Sequence, residues 1–467
     1  MPMIKEGNRI CRRTYIFITG ELSAPLLVGS GEDEQTDMDV ILDERGRPFI
    51  PGSALAGALR RYLSETSGDV AANYVFGDPV NGEKSPSSTG IGRQSRLFVY
   101  DTELNTPKLC YRDGVRLDGF KTVEDKAKYT MQAVERGAGY TIRLELMERE
   151  DDIATEAEKL SAADSMGQIR TLIAGLHYGE ITLGAKSHRG FGRLCVRDVR
   201  IKQFDMTQKE SQLAWLDWDW KHKDAFYGAE RWDLKQIPDT IKQMEHCLCV
   251  PLKIKNTIMI RSYPEDDCGK GVLPDYVQLK SAGKAVIPGT GWMGAIRGRL
   301  GTILQDMGIA GDQEAAQKKL ETILGSWSAE QALLASTVKV EESILEGGYV
   351  LPITRNAIDR FTGGTVRGAL YTSEPWVGGH TELALRWPCR LGKVSSDTIC
   401  GLLLWVISDL QNGLLAVGGE TAAGRGIFEN NGAVKLDGET IDDSKSYYKA
   451  AMDWCKCIGQ VGTGGIK

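Results

Sequence analysis

Hydrophobic and polar positions run through the same succession twice along this chain. Apolar and β-branched residues crowd Thr14–Glu21 (TYIFITGE) and again Leu252–Arg261 (LKIKNTIMIR), which predicts a strand opening each half. An acidic loop follows, then Pro-Gly and a helical stretch. Ser53 and Thr290 stand where an N-cap belongs, and Leu55, Leu59, Tyr62 and Leu63 fall at i, i+4, i+7 and i+8 on one apolar face. Further strands are predicted at Leu97–Tyr100 and Thr141–Leu146, and in the second half at Thr337–Val340 and Glu382–Arg386. A second helix is predicted over about Ala162–His177 and about Asp397–Gln411, and a last strand near Arg193–Val199 and Gly426–Phe428. The order is βαββαβ, an α+β class with ferredoxin-like topology, in which a long insertion separates the two middle strands.

The halves are copies. IPGSALAGALRRYL from Ile50 aligns without gaps to IPGTGWMGAIRGRL from Ile287, with Pro51 and Pro288 at an offset of 237 (288 − 51). Arg116-Leu117-Asp118 precedes Tyr129-Thr130 as Arg355 to Asp359 precedes Tyr371-Thr372, at an offset of 242 (371 − 129). Gly184–Gly192 is echoed by Gly418–Gly426 at 234 (424 − 190). Three landmarks in one order at nearly one offset define tandem domains, 1–201 and 247–467, each with a glycine-rich loop and an insertion, at about 112–132 and about 352–372. Between them, 202–246 carries Trp215, Trp218, Trp220 and Trp232. This density reads as packing that fixes one copy against the other, with a binding surface as the second reading.

Composition bounds the function. With 42% hydrophobic residues a core is available, so disorder is excluded as the main state. A net charge of −6 (57 Lys and Arg against 63 Asp and Glu) argues against a polybasic binder on overall charge. The start lacks an apolar core of the kind a secretory signal needs, and no run of about 18 apolar residues occurs, so a cytoplasmic protein without a membrane partner is expected. The 10 cysteines include no Cys-x-x-Cys and read as reduced thiols. Two Cys-x-Cys pairs, Cys247/Cys249 and Cys455/Cys457, could hold zinc together only if they meet. The first pair shares a strand face, whereas the second lies on a helix, where i and i+2 diverge.

Glycine is in excess, 54 residues, and the paired loops give part of that excess a chemical reading. In Gly184–Gly192, glycines let backbone N–H groups approach an anion, while Lys186, Arg189 and Arg193 supply charge beside Ser187 and His188. The alternative is a turn that merely permits close packing. The loop precedes the last strand, so it is no Walker loop, and no dinucleotide-binding Gly-x-Gly-x-x-Gly follows the first strand. Arg60, Arg61, Arg297 and Arg299 lie on the Pro-Gly helices, whose free N–H groups also favour phosphate; the plain alternative is a solvated charged face.

Together, IPGSALAGALR after an acidic loop, RLFVYD, the insertion between Arg-Leu-Asp and Tyr-Thr, and GAKSHRGFGRL resemble the RAMP superfamily of CRISPR-associated proteins, and within it the repeated backbone subunit of type III effector complexes. The resemblance covers 14–200 and 250–430. It implies a ferredoxin-like core that holds CRISPR RNA by its backbone, partner subunits, and an insertion acting as a thumb. It also implies a loop aspartate that cleaves guide-paired target RNA with a divalent metal such as Mg2+. Carried over, that aspartate and metal ligand is Asp37, with Asp39, Asp33 and Asp43 as alternates; a solvated acidic loop is the plain alternative. The constant offset sets Pro274 opposite Asp37 and leaves Asp275 one residue off, so the second copy either cleaves from Asp275 or is a spacer. The implied RNA contacts are Ser53, Arg60, Arg61, Arg116, Lys121, Lys126, Lys186, Ser187, His188 and Arg189, and in the second copy Arg297, Arg355, Arg360, Arg367 and Arg425. A purely structural guide-binding subunit, or metal-independent processing of precursor CRISPR RNA using His188, are the other functions the resemblance admits.

Overall fold

The opening strand of the first half runs Ile10–Leu22, longer than its β-branched segment, because both edges are paired from Arg12 to Glu21. The structure, a computed structural model, describes residues 9–31, 38–78, 94–117, 123–149, 165–222, 225–226, 228–234, 244–264, 273–326, 334–392 and 394–460. The chain divides into two units. One is Met1–Arg112, Thr130–Ala185 and Gly192–Gln243; the other is Asp113–Tyr129, Lys186–Phe191 and Met244–Lys467. Most of the Trp-rich joint thus belongs with the first unit, and the middle of the first glycine loop with the second.

In the first unit Ile10–Leu22 lies between Leu194–Asp205 and Gly139–Arg149, both antiparallel, and Leu97–Val99 and Thr102–Asn105 pair on the far side of Gly139–Arg149. In predicted strand order this is last, first, third, second. Ile16 stands between Ile201 and Leu144, and Ile18 between Val199 and Ile142, so alternate residues build one apolar face. Helix Gly52–Ser67 brings Leu55, Leu59, Tyr62 and Leu63 to the core, and helix Ser165–His177 brings Ile169, Leu172, Ile173 and Leu176. Each such side chain contributes roughly 1.5–3 kcal/mol.

The helix start corrects the expected cap. Pro51 is the N-cap and makes no side-chain bond, so Ser53 lies inside the first turn, exposed. The orphan Gly52 N–H donates instead to Asp101 Oδ1 at 2.7 Å. Gly52 is required because a Cβ there would meet the Val99 carbonyl at 2.3 Å.

The Trp-rich joint packs on the first unit's own sheet. Tyr15 points away from the Ile16/Ile18 face and joins Phe204 and Phe226, with Phe17, Trp215, Trp218 and Trp220 against them. Tyr15 and Trp218 have ring centroids 4.4 Å apart. Beneath the rings Trp215 Nε1 donates to Tyr15 Oη (2.8 Å), while the Tyr15 and Tyr100 hydroxyls donate to Glu145, which also holds Arg13. Burial raises the Tyr15 hydroxyl above the usual phenol value and pushes the Tyr100 hydroxyl well above it.

In the second unit the strand is Glu245–Lys255, not Leu252–Arg261. Asn256, at φ 63°, turns the chain, and the following apolar run is diverted into Thr257–Ile258, which pairs with Trp376–Val377. Glu245–Lys255 lies between His380–Pro388 and the pieces Ile427–Asn430 and Lys435–Leu436; Lys339–Val340 pairs outside His380–Pro388. Helix Gly289–Asp306, N-capped at Pro288 with Thr290 inside it, buries Trp292, Ile296, Leu300 and Leu304. Helix Ser396–Gln411 is capped by Ser395, whose Oγ accepts from Thr398 N–H at 3.1 Å. A C-terminal helix, Lys445–Gln460, packs on it. Gly401 lets the two close up, since a Cβ there would meet the Tyr447 carbonyl at 2.1 Å. Cys455 is buried and Cys457 exposed, diverging as helix geometry requires.

Both insertions are β-hairpins: Leu109–Leu117 with Val123–Val134, and Ile353–Ile358 with Thr365–Glu374. Among the described residues no helix is long and apolar enough to cross a membrane.

Candidate nucleic-acid interface

The two glycine loops adopt one backbone. Gly184 and Gly418 have φ 74° and 98°, Lys186 and Glu420 58° and 55°, Gly190 and Gly424 86° and 81°, and Gly192 and Gly426 75° each. Short 3-10 turns, Ser187–Arg189 and Thr421–Ala423, lie inside them. Both Gly192 and Gly426 press on a carbonyl, Leu183 at 1.8 Å and Val417 at 1.9 Å from an added Cβ. The conformation therefore depends on glycine in both copies.

Their electrostatics differ. In the first loop Lys186 Nζ sits 4.9 Å from the Tyr129 ring centroid, and Ser187 and His188 are half-buried. Burial lowers the Arg189 guanidinium below its ordinary value, and its buried Nη1 makes no hydrogen bond. Arg193 is used internally, its Nη2 donating to the Tyr178 carbonyl at 2.9 Å. In the second loop a carboxylate, Glu420, replaces Lys186. Glu420 Oε2 accepts from Arg355 Nη1 at 3.2 Å and lies 3.2 Å from Arg425 Nε. Arg425, at the position of Phe191, is 1% exposed, and burial lowers its pKa. Arg425 and Arg355 are therefore held inward by Glu420 and do not form an open basic loop.

The Pro-Gly helix arginines divide similarly. Arg60 donates to the Gly77 carbonyl at 2.8 Å and the Phe76 carbonyl at 3.4 Å, and reaches Asn73. Arg297 donates to the Leu324 and Gly325 carbonyls and to Gln317, and is buried. Burial first, then the neighbouring Arg189 charge, pulls Arg297 down to about 10. Both guanidiniums tie off the orphan carbonyls of the next helix. The repeat thus preserves a helix clamp at Arg60 and Arg297. Arg61 is exposed, 3.9 Å from Glu65, and Arg299 pairs with Asp409 at 2.6 Å.

Asp37 and Asp33 lie outside the described residues. Asp39 is half-buried in the strand Asp39–Val40, paired with Gly29–Gly31. Asp43 caps a turn, accepting from Arg47 and Arg45 N–H at 2.8 and 2.9 Å, and the Arg47 N–H foremost holds its carboxyl below the usual range. Exposed Asp275 exchanges hydrogen bonds with Thr372: its N–H donates to the Thr372 carbonyl (2.8 Å), and its Oδ2 accepts from Thr372 N–H (2.7 Å).

The hairpin bases correct the constant-offset alignment. Met38 pairs in parallel with Met131, and Tyr276 in parallel with Ser373. Met131 and Ser373 each stand next after a Tyr-Thr pair, Tyr129-Thr130 and Tyr371-Thr372. Met38 and Tyr276 therefore correspond at 238 (276 − 38), and the residues before them in sequence are Asp37 and Asp275. The one-residue mismatch is a difference in loop length.

On the first hairpin Lys121 lies outside the described residues, as do the side chains of Arg116 and Lys126. The second hairpin carries exposed Arg360 and Arg367 together with Ile358, Leu370 and Phe361, the last 85% exposed. Arg360 stacks at 5.0 Å from the Phe361 centroid. Asp359 Oδ1 fixes the turn by accepting from Thr362 N–H (2.7 Å) and Phe361 N–H (3.0 Å). Phe361 was missed in the sequence; an aromatic beside Arg at a turn of the insertion was the signal available.

A family profile described as RAMPs, RAMP superfamily, matches residues 20–195 and 274–429. A search of curated proteins gives no match.

Proposed function

The chain belongs to the RAMP superfamily, and from that premise we propose that it is a tandem, two-copy backbone subunit of a type III CRISPR effector ribonucleoprotein. Membership places it among CRISPR-associated RNA-binding proteins. The finer reading is that it holds the guide part of a CRISPR RNA by its phosphates, beside other subunits of the complex, and that guide-paired target RNA is cut at the hairpin bases. One observation carries it: cationic Lys186 and Arg189 sit in a turn set by Gly184, Gly190 and Gly192, all at positive φ. The strand order last, first, third, second is the one a ferredoxin-like scaffold requires, and the hairpins suit thumbs.

Asp37 and Asp275 are the proposed cleaving carboxylates. Attack by a ribose 2′-OH on the adjacent phosphorus forms the P–O2′ bond and breaks the P–O5′ bond; the carboxylate accepts the 2′-OH proton, and water protonates the departing O5′, leaving a cyclic phosphate and a 5′-OH. Among the described residues no three His, Cys, Asp or Glu side chains converge on a metal site. The donors fit Mg2+ only as an ion shared between one carboxylate, phosphate oxygens and water. Such an ion would neutralise charge on the phosphate.

The test is cleavage of a target RNA by the assembled complex carrying Asp37→Ala, Asp275→Ala or both. Wild-type protein gives two cuts, each single variant loses one, and the double variant binds target without cutting. Persistence of both cuts in the double variant overturns the carboxylate assignment. Intact RNA with wild-type protein leaves a structural guide-binding subunit, and failure to assemble on guide RNA overturns the whole reading.

A further inference from the structure

Cys247 and Cys249 flank Leu248 on the strand Glu245–Lys255. Leu248 is fully buried, so alternation sends both thiols to the opposite, half-buried face. Their sulfurs are 3.6 Å apart. On one side of the strand Arg386 stands opposite Cys247 and Ala384 opposite Cys249, and on the other Lys435 stands opposite Cys249. Arg386 is itself held by Glu341. The backbone at Cys247 is pinned, its N–H donating to Asp437 Oδ1 (2.7 Å) and its carbonyl accepting from Asp437 N–H (2.9 Å).

We propose that Cys247 and Cys249 form a dithiol site that closes to a reversible intrastrand disulfide by exchange with small-molecule disulfides. With Cys247 as donor, the hydrogen bond between the thiols holds Cys249 below the usual thiol value and Cys247 above it, so Cys249 is the attacking group. The Cys249 thiolate attacks one sulfur of the small disulfide, forming a mixed disulfide and expelling one thiolate. Cys247 then loses its proton and attacks Cys249 Sγ, expelling the second. Two protein thiols are oxidised and one small disulfide is reduced to two thiols. Residues two apart on a strand are about 6.6–6.8 Å apart at Cα, at the upper limit of about 6.8 Å for a bridged pair, so the product is strained and readily reduced. Neither Cys400 nor Cys455 competes: both are buried, and burial pushes their thiols up to about 12 and about 11.

Full-length protein is incubated with glutathione disulfide, alkylated and digested with trypsin. Both cysteines fall on one peptide, 243–253, which carries no other cysteine. The expected result is a peptide two hydrogen masses lighter that takes up no alkylating agent, and that regains two labels after treatment with a dithiol reductant. Cys247→Ser, checked for native unfolding behaviour, is expected to trap a stable glutathione adduct at Cys249. Two freely alkylated thiols, or glutathione adducts on the wild-type peptide that never close, overturn the proposal.

Discussion

Glu420 holds in the second glycine loop the backbone position that Lys186 holds in the first, at φ 55° against 58°. One backbone thus carries opposite charge in its two copies. Glu420 draws Arg355 and Arg425 inward, whereas Lys186 rests on the Tyr129 ring. The loops should answer differently to charge removal. Lys186→Ala is expected to weaken RNA binding and to reduce the slope of log affinity against log salt by about 0.7–1, the share of one phosphate. Glu420→Gln is expected to leave binding undiminished. Fluorescence anisotropy with labelled RNA at several salt concentrations measures both; equal losses would mean that the loops are equivalent.

Arg297 should matter to stability and not to RNA. Its guanidinium satisfies the Leu324 and Gly325 carbonyls in a buried setting. Arg297→Ala leaves those acceptors without their donor and is expected to destabilise its unit by roughly 2–4 kcal/mol. Arg60 does the same work half-exposed, so Arg60→Ala should cost less. Thermal unfolding gives the order, and RNA titration of the folded fraction should show unchanged affinity for both.

These arginines also mark where sequence reading reached its limit. The Pro-Gly helices, the glycine loops and the twofold repeat were visible because each rests on local residues. The partners of Arg60 and Arg297 stand a helix away, so a clamp and an RNA contact look alike in one dimension. The constant offset, which sets Pro274 opposite Asp37, is one residue from the register at the hairpin bases for the same reason. The register is set at the hairpin bases, where Met38 meets Met131 and Tyr276 meets Ser373, far apart in sequence. Likewise nothing local told that Trp215 and Trp218 would cover Tyr15 of their own sheet.

Glycine at the loop exits should be intolerant where glycine at the tip is not. A Cβ at Gly426 meets the Val417 carbonyl at 1.9 Å, whereas Gly424, also at positive φ, faces open space. Gly424→Ala should cost about 1 kcal/mol for the left-handed backbone alone. Gly426→Ala should cost clearly more, because backbone must move. Paired denaturant melts decide it, and equal costs would contradict the close approach.

The second hairpin turn should loosen in acid. The Thr362 N–H foremost, with the Thr362 hydroxyl and the Phe361 N–H, holds Asp359 below the usual carboxylate range. A carboxyl depressed in the folded state stabilises above its unfolded pKa, about 3.9, and that contribution is lost as pH falls through the folded value. Amide exchange at Thr362 should therefore quicken below about pH 4. Asp359→Asn should remove the pH dependence of that exchange.

Phe361 is expected to act on RNA without acting on the fold. It is 85% exposed, stacks with Arg360, and is presented by a turn that Asp359 fixes in place. An exposed aromatic beside a cation, on a hairpin, suits stacking on an unpaired base. Phe361→Ala should lose about 1–3 kcal/mol of RNA binding, the worth of one base–aromatic stack, at unchanged thermal stability. Phe361→Trp should retain it, since any flat ring offers the same face. Anisotropy titrations on the three proteins separate the cases: if alanine binds as well as phenylalanine, the hairpin tip does not touch RNA, and the exposed ring belongs to a protein contact within the assembled particle.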